Sequence, residues 1–146
     1  MALTKVMTAD QSINSSTTLT NVTDLVFAIG ANETWVYDML IECGDALSTT
    51  LAQIDFTKPA GSTIKFWAFT FQDDWTTPYN INAGGSNFSG SPIQIPGFTD
   101  RAIIQVKAYL KTAGTAGNLQ LQFAQFVSDA SNLTFKQGSF GVGNKV

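Results

Sequence analysis

Asn118–Thr134 reads NLQLQFAQFVSDASNLT. Leu119, Leu121 and Phe123 alternate with Gln120 and Gln122, the period of two that marks a strand buried on one face only. Val127 falls on the apolar side as well. The pattern then breaks at Ser128-Asp129-Ala130-Ser131-Asn132, residues that favour turns because their short side chains bond nearby backbone. The water-facing side of this strand is amide, where Lys and Glu are the usual choice.

Working outward, the same period recurs. In RAIIQVKAYLK (Arg101–Lys111), Ala102, Ile104, Val106, Ala108 and Leu110 share one face, and Gln105, Lys107 and Lys111 the other. TAGTAG joins it to the opening stretch, so the two are expected to form a hairpin. Upstream, LVFAIG (Leu25–Gly30) is a continuous apolar run. A turn at Ala31-Asn32-Glu33 leads into TWVYDMLIEC, with Trp35, Tyr37, Met39 and Ile41 on one face and Asp38 and Glu42 on the other. LAQIDFT alternates Ile54 and Phe56 against Gln53 and Asp55. KPAGS is a turn. STIKFWAFTFQ (Ser62–Gln72) places Phe66 on one face and Trp67, Phe69 and Phe71 on the other, so both faces need cover, from this fold or from a neighbouring chain. LTFKQGSFGVGNKV carries one more strand and a Gly-punctuated tail. About eight strands with turn signals between them read as an all-β sandwich, jelly-roll or Greek-key like, with a closed barrel as the runner-up. The chain reads as one domain, residues 1–146, with 1–12 and 138–146 as possible extended arms.

Charge restricts the function classes. Only 13% of the 146 residues are charged, against about 25% in a typical soluble protein. Such a surface is sparse for a subunit that must stay apart from others and suits one covered by them. Residues 1–57 hold seven acids against Lys5, and the remainder seven bases against four acids. A net charge of −3 without a basic cluster argues against nucleic acid as a partner. No apolar run is long enough for a membrane helix, and MALTKVMTADQS has no apolar stretch of signal-peptide type.

Chemistry is scarce. Without histidine, the commonest general base and transition-metal ligand is missing. Cys43, flanked by Glu42 and Asp45, reads as a buried small hydrophobe rather than a reactive thiol. Asp73 and Asp74 are adjacent loop acids, a common turn feature, and lack the spacing of a calcium loop. AGGSN follows no phosphate-loop pattern. No catalytic residue, cofactor or metal is expected. Five Asn-x-Ser/Thr sequons (Asn14, Asn21, Asn32, Asn87, Asn132) read as turn composition. The loop-rich segment from Asp73 to Gly97 contains Trp75, Tyr79 and Phe88, a candidate ligand or partner loop.

Two stretches carry a resemblance. TADQSINSSTTLTNVTDLVFAIGANETW (Thr8–Trp35) resembles a β-rich module of virion proteins in tailed bacteriophages, and GTAGNLQLQFAQFVSDASNLTFKQGSF (Gly114–Phe140) is similar to its closing hairpin. Together they cover under half the chain; Glu42–Thr112 matches only loosely. The resemblance implies a structural module of small head proteins or of tail and fibre ends. The start at Met1, with no shaft or coiled-coil segment, favours the head. The expected role is therefore a non-enzymatic capsid decoration or cement protein on the head surface of the virion. It would act as a homo-oligomer, a trimer by preference, bound to the phage major capsid protein. A tail-fibre or tail-tip protein that binds a carbohydrate receptor is the alternative. Leu3, Val6, Phe140 and Val142 are expected as arm contacts. Gln120 and Gln122 are expected at contacts between like subunits, since an amide donates and accepts at once.

Overall fold

The computed structural model describes residues 1–44, 52–72, 92–95 and 101–146. They form eleven strands: β1 (Ala2–Val6), β2 (Gln11–Ile13), β3 (Thr20–Ile29), β4 (Thr34–Gly44), β5 (Ala52–Thr57), β6 (Thr63–Gln72), β7 (Ile93–Ile95), β8 (Arg101–Lys111), β9 (Gly117–Gln125), β10 (Leu133–Phe135) and β11 (Phe140–Lys145). Every pairing is antiparallel. The larger sheet runs β1-β11-β4-β8-β6, with β10 bonded to β4 further along and β2 to β10. The smaller sheet runs β3-β9-β5-β7.

The short strands explain why eleven elements appear where eight were expected. β1 pairs with β11 and β2 with β10 in one unbroken register, from Ala2↔Asn144 to Ile13↔Leu133. The two pairs are thus one ladder interrupted in its middle, where Met7 N–H donates to Ser139 O (2.8 Å) and Gly138 N–H to Met7 O (3.0 Å). Gly138, at φ 89, takes the left-handed conformation this excursion requires.

Counted this way, the large sheet has five lateral positions and the small sheet four. With β6 set aside as an added edge strand, the large sheet holds the first, eighth, third and sixth strands in chain order. The small sheet holds the second, seventh, fourth and fifth. This is jelly-roll order.

Two expectations are corrected. β8 and β9 do not form a hairpin: β8 bonds β4 and β6 in one sheet, and β9 bonds β3 and β5 in the other. The linker after Lys111 crosses between sheets, because each strand must bury its apolar face from the opposite side of a common core. Nor are the ends free arms. Residues 2–6 and 140–145 are strands of the large sheet, and β11 lies between β1 and β4.

The core is one cluster fed by both sheets. Trp35, Tyr37, Met39 and Ile41 of β4, and the alternate residues of β8, are buried as their period requires. So are Leu25, Phe27 and Ile29 of β3, a strand whose apolar run proves to alternate. Aromatic contacts bridge the layers: Phe27 meets Tyr37 edge-on at 5.1 Å, Phe56 meets Phe66 at 5.0 Å, and Phe123 stacks on Phe135 at 4.2 Å. Val127 lies past the end of β9 and is 53% exposed, not in the core. Cys43 is fully buried. Desolvation, then the Glu42 charge, holds its thiol well above the ordinary range, as an inert small hydrophobe requires.

Candidate interaction surface

The two outer faces of the sandwich differ in kind. On the small sheet, direct pairing aligns Asn21 with Gln122 and Asp55, Val26 with Gln120 and Thr57, and Gln53 with Gln94. That face is polar, mostly amide.

The amides are largely used within the fold. The β3 register shifts between Asn21 and Val26, freeing backbone groups that need partners. Gln120 Nε2 donates to Val22 O (3.1 Å) and Gln122 Nε2 to Asn21 Oδ1 (2.8 Å). From the other side, Gln11 Nε2 donates to Asn21 O (2.7 Å) while its Oε1 accepts from Thr23 N–H (2.9 Å). Thr8 N–H and hydroxyl both donate to the Asp24 carboxylate (2.7 and 2.8 Å), which holds that carboxyl below its usual range. The glutamines of the opening stretch are thus cross-strand staples over an irregular strand.

The large sheet presents the opposite surface. Its registers build three five-residue rows across the outer face: Val6–Phe140–Leu40–Gln105–Phe69, then Thr4–Val142–Asp38–Lys107–Trp67, then Ala2–Asn144–Val36–Tyr109–Lys65. A shorter row, Glu42–Ile103–Phe71, lies beyond the first. Ten of these side chains are large and apolar or aromatic. Val6 is 48% exposed, Trp67 42%, and Phe71 and Tyr109 36% each, with Val36 and Leu40 similar. Single exposed apolar residues are ordinary, but a contiguous field of this extent makes this face the candidate contact surface.

One charged group sits within the field. Asp38 accepts from Lys107 Nζ, directly across the β4–β8 ladder, and from Gln105 Nε2 (3.1 Å) on the diagonal. Desolvation raises the Asp38 pKa, but the Lys107 and Gln105 bonds outweigh it, so the carboxyl stays below its ordinary value and ionised. Arg101 and Glu42, 4.0 Å apart, lie at the margin.

The residues singled out in the sequence divide between the faces. Val6, Phe140 and Val142 lie on the apolar face of the large sheet, the latter two half-buried. Leu3 turns inward and packs against the core. Gln120 and Gln122 lie on the opposite layer. Trp75, Tyr79 and Phe88 lie outside the described residues. The structure adds Val36, Leu40, Ile103 and Tyr109, which alternation alone assigned to polar faces because each has charged or amide neighbours two residues away. Among the described residues, no group of three or more Cys, Asp or Glu is placed to hold a metal ion.

The ANETW turn, part of the resemblance, serves the fold. Asn32 adopts φ 56. Glu33 Oε2 accepts from Gly30 N–H and Trp35 Nε1–H, both at 2.8 Å, and Oε1 pairs with Lys145 Nζ at 2.6 Å. Thr112 Oγ1 accepts from Glu33 N–H (2.8 Å) and donates to Gly30 O (2.9 Å). Thr112 ties the turn to the end of β8, and the Glu33 carboxylate ties it to Trp35 and to β11.

No protein-family model matches the chain, and no curated protein matches it. Two solved structures, of infectious bursal disease virus strains Gt and Gx, align with 99% and 98% of it at 12% and 10% identity, with TM-scores of 0.24 and 0.25. The chain spans 41% and 38% of those chains, about two-fifths of their length. The fold described above rests on strand pairing and not on these alignments.

Proposed function

We propose that this chain is a non-enzymatic structural subunit of a tailed-phage particle, a decoration or cement protein of the head that acts through contacts with its own copies and with the major capsid protein. The observation that carries the reading is the apolar, aromatic outer face of the large sheet, on a domain whose charges are few. The resemblance of Thr8–Trp35 and Gly114–Phe140 to phage virion modules points the same way. A chain without histidine offers little for acid–base catalysis, whereas a rigid sandwich with one sticky face suits load-bearing contact.

The mechanism is mechanical. Burying apolar area contributes about 25 cal/mol per Å², so covering roughly 500 Å² yields on the order of 12 kcal/mol. Association costs about 4–15 kcal/mol in lost freedom. One such face therefore gives a modest contact. Several in an array, each needing to break before the shell opens, resist internal pressure far better than one.

Immunogold labelling of intact particles that carry the chain tests the proposal. Gold spread regularly over the head is the expected result. Gold confined to tail tips or fibres would replace the head assignment with the receptor-binding reading and move attention to Trp75, Tyr79 and Phe88. Absence of label from particles opened as well as intact would overturn the virion role.

A further inference from the structure

We propose that the outer face of the large sheet pairs with the same face of a second copy of this chain, around a two-fold axis passing between Asp38 and Lys107. The pairing rests on the assembly reading of that face, but not on where in a particle the chain sits.

Three observations converge on a second copy as the occupant. The first is charge complementarity. Asp38 and Lys107 are directly paired neighbours in the apolar field, and both are partly exposed. A two-fold rotation between them sets each Asp38 against the partner's Lys107, so four alternating charges close on one another without importing a countercharge. An apolar partner without charges would bury the pair unaided, and a uniformly acidic or basic one would repel half of it. The second is size. An axis between β4 and β8 overlays β11, β4, β8 and β6 on the partner and leaves β1 at the margin. Four strand positions about 4.8 Å apart and four rows about 6.7 Å apart give roughly 500 Å² per copy, or about 1,000 Å² for the pair, at the threshold of specific interfaces. The third is shape. The face is a ladder with side chains on alternate residues, which stacks on a like sheet as the two layers of this sandwich already do.

The aromatic residues supply the anchors. Trp67 is directly opposite Lys107 and flanks the charged centre, and Tyr109 and Phe69 occupy the neighbouring rows. Such side chains at the centre of a contact commonly dominate its energy. An isologous contact uses one patch twice. A trimer would need a second, different patch to receive this one, so a pair is the unit the face builds by itself.

The test uses the full chain and two charge variants, Asp38→Lys and Lys107→Asp, with mass measured by sedimentation equilibrium. Wild type is expected as a dimer, and each variant alone should associate at least tenfold more weakly, because like charges then meet across the axis. Mixing the two variants is the decisive step. Their faces are then of opposite sign, and a heterodimer should form that regains wild-type affinity. An effect confined to each chain's own Asp38–Lys107 pair cannot be rescued by mixing. Trp67→Ala, remote from the core, should weaken association while leaving the unfolding midpoint of the monomer nearly unchanged. A monomeric wild type, a trimer indifferent to these substitutions, or a mixture that stays monomeric would each overturn the pairing. The first and third would leave the virion assignment to the gold labelling, which does not depend on self-association.

Discussion

Gly143 lies directly opposite Tyr37 in the β4–β11 ladder, and the Tyr37 ring fills the space where a side chain at 143 would begin. Gly141, two residues earlier, is hemmed in likewise: an added Cβ would lie 2.9 Å from Met39 Cγ and 3.0 Å from Phe27 Cζ. The glycines of FGVGNK are therefore core positions given over to the large side chains of neighbouring strands. Gly143→Ala should displace the ring and destabilise the fold by about 1–3 kcal/mol, read as a fall in the chemical-denaturation midpoint. Gly114→Ala is the control. Its Cβ would meet nothing within 4 Å, and stability should be unchanged.

Glu33 should govern the acid limb of stability. Its bonds to Lys145, Trp35 and the Gly30 N–H pull the carboxyl from 4.5 down to about 2. The folded state therefore favours the ionised form, and the stabilisation is complete above pH 4.5 and lost as pH falls towards 2. Glu33→Gln should lower the thermal midpoint at neutral pH. The gap between variant and wild type should close on acidification across that window. A gap that stays constant with pH would show that the charge is immaterial.

Asp55 has the opposite sign. Desolvation on the flank of Gln122 raises its pKa, although Phe56 N–H at 2.7 Å and the Lys58 charge favour the anion. The folded state thus prefers the protonated acid, and ionisation costs stability as pH rises above 3.8. Asp55→Asn should be slightly more stable than wild type at pH 7 and equal to it near pH 3, in paired thermal melts.

Gln125 is fully buried and bonded at both ends of its amide. Its Oε1 accepts from Ser16 N–H and Asp129 N–H, both at 3.1 Å, and its Nε2 donates to Ser131 O at 2.7 Å. One side chain ties the 14–16 loop to the 126–132 turn. Gln125→Ala should cost on the order of 2–4 kcal/mol, since backbone groups are left without partners. Amide hydrogen exchange should quicken at Ser16 and Asp129 first.

Much of this architecture was legible in the chain. The period of two in β4, β8 and β9 assigned Trp35, Tyr37, Val106 and Leu121 to the core correctly, because one-sided burial leaves that mark on any strand. Phe66 against Trp67, Phe69 and Phe71 was read with the right parity: Phe66 is buried, and Trp67 and Phe71 lie on the outer face. What alternation does not encode is which strands become neighbours. The short TAGTAG linker suggested a hairpin, yet it crosses the core. FGVGNK looked like a tail because its glycines hide a core role that only the side chains of Phe27, Tyr37 and Met39 reveal. The apolar face was invisible for a related reason. Val36 and Leu40 alternate with nothing unusual along β4, and become a field only when register sets them beside Phe140, Tyr109 and Phe69.

The jelly-roll order has a kinetic consequence. Among the described residues, no two strands consecutive in the chain are hydrogen-bonded to each other; β4 finds its neighbours in β8, β10 and β11, and β3 finds its own in β9. The described strands offer a newly made chain no local hairpin to hold while the rest is synthesised, and each of their ladders must close a long loop before it gains anything. Refolding should be slow for a domain of this size, on the order of seconds rather than milliseconds. Throughout that interval Trp67, Phe69 and Phe71 and the core strands are exposed together, and crowded siblings compete with the correct partner strand. Yield in the cell is then decided by how dilute the chain is kept as it emerges, well before any finished surface meets its partner.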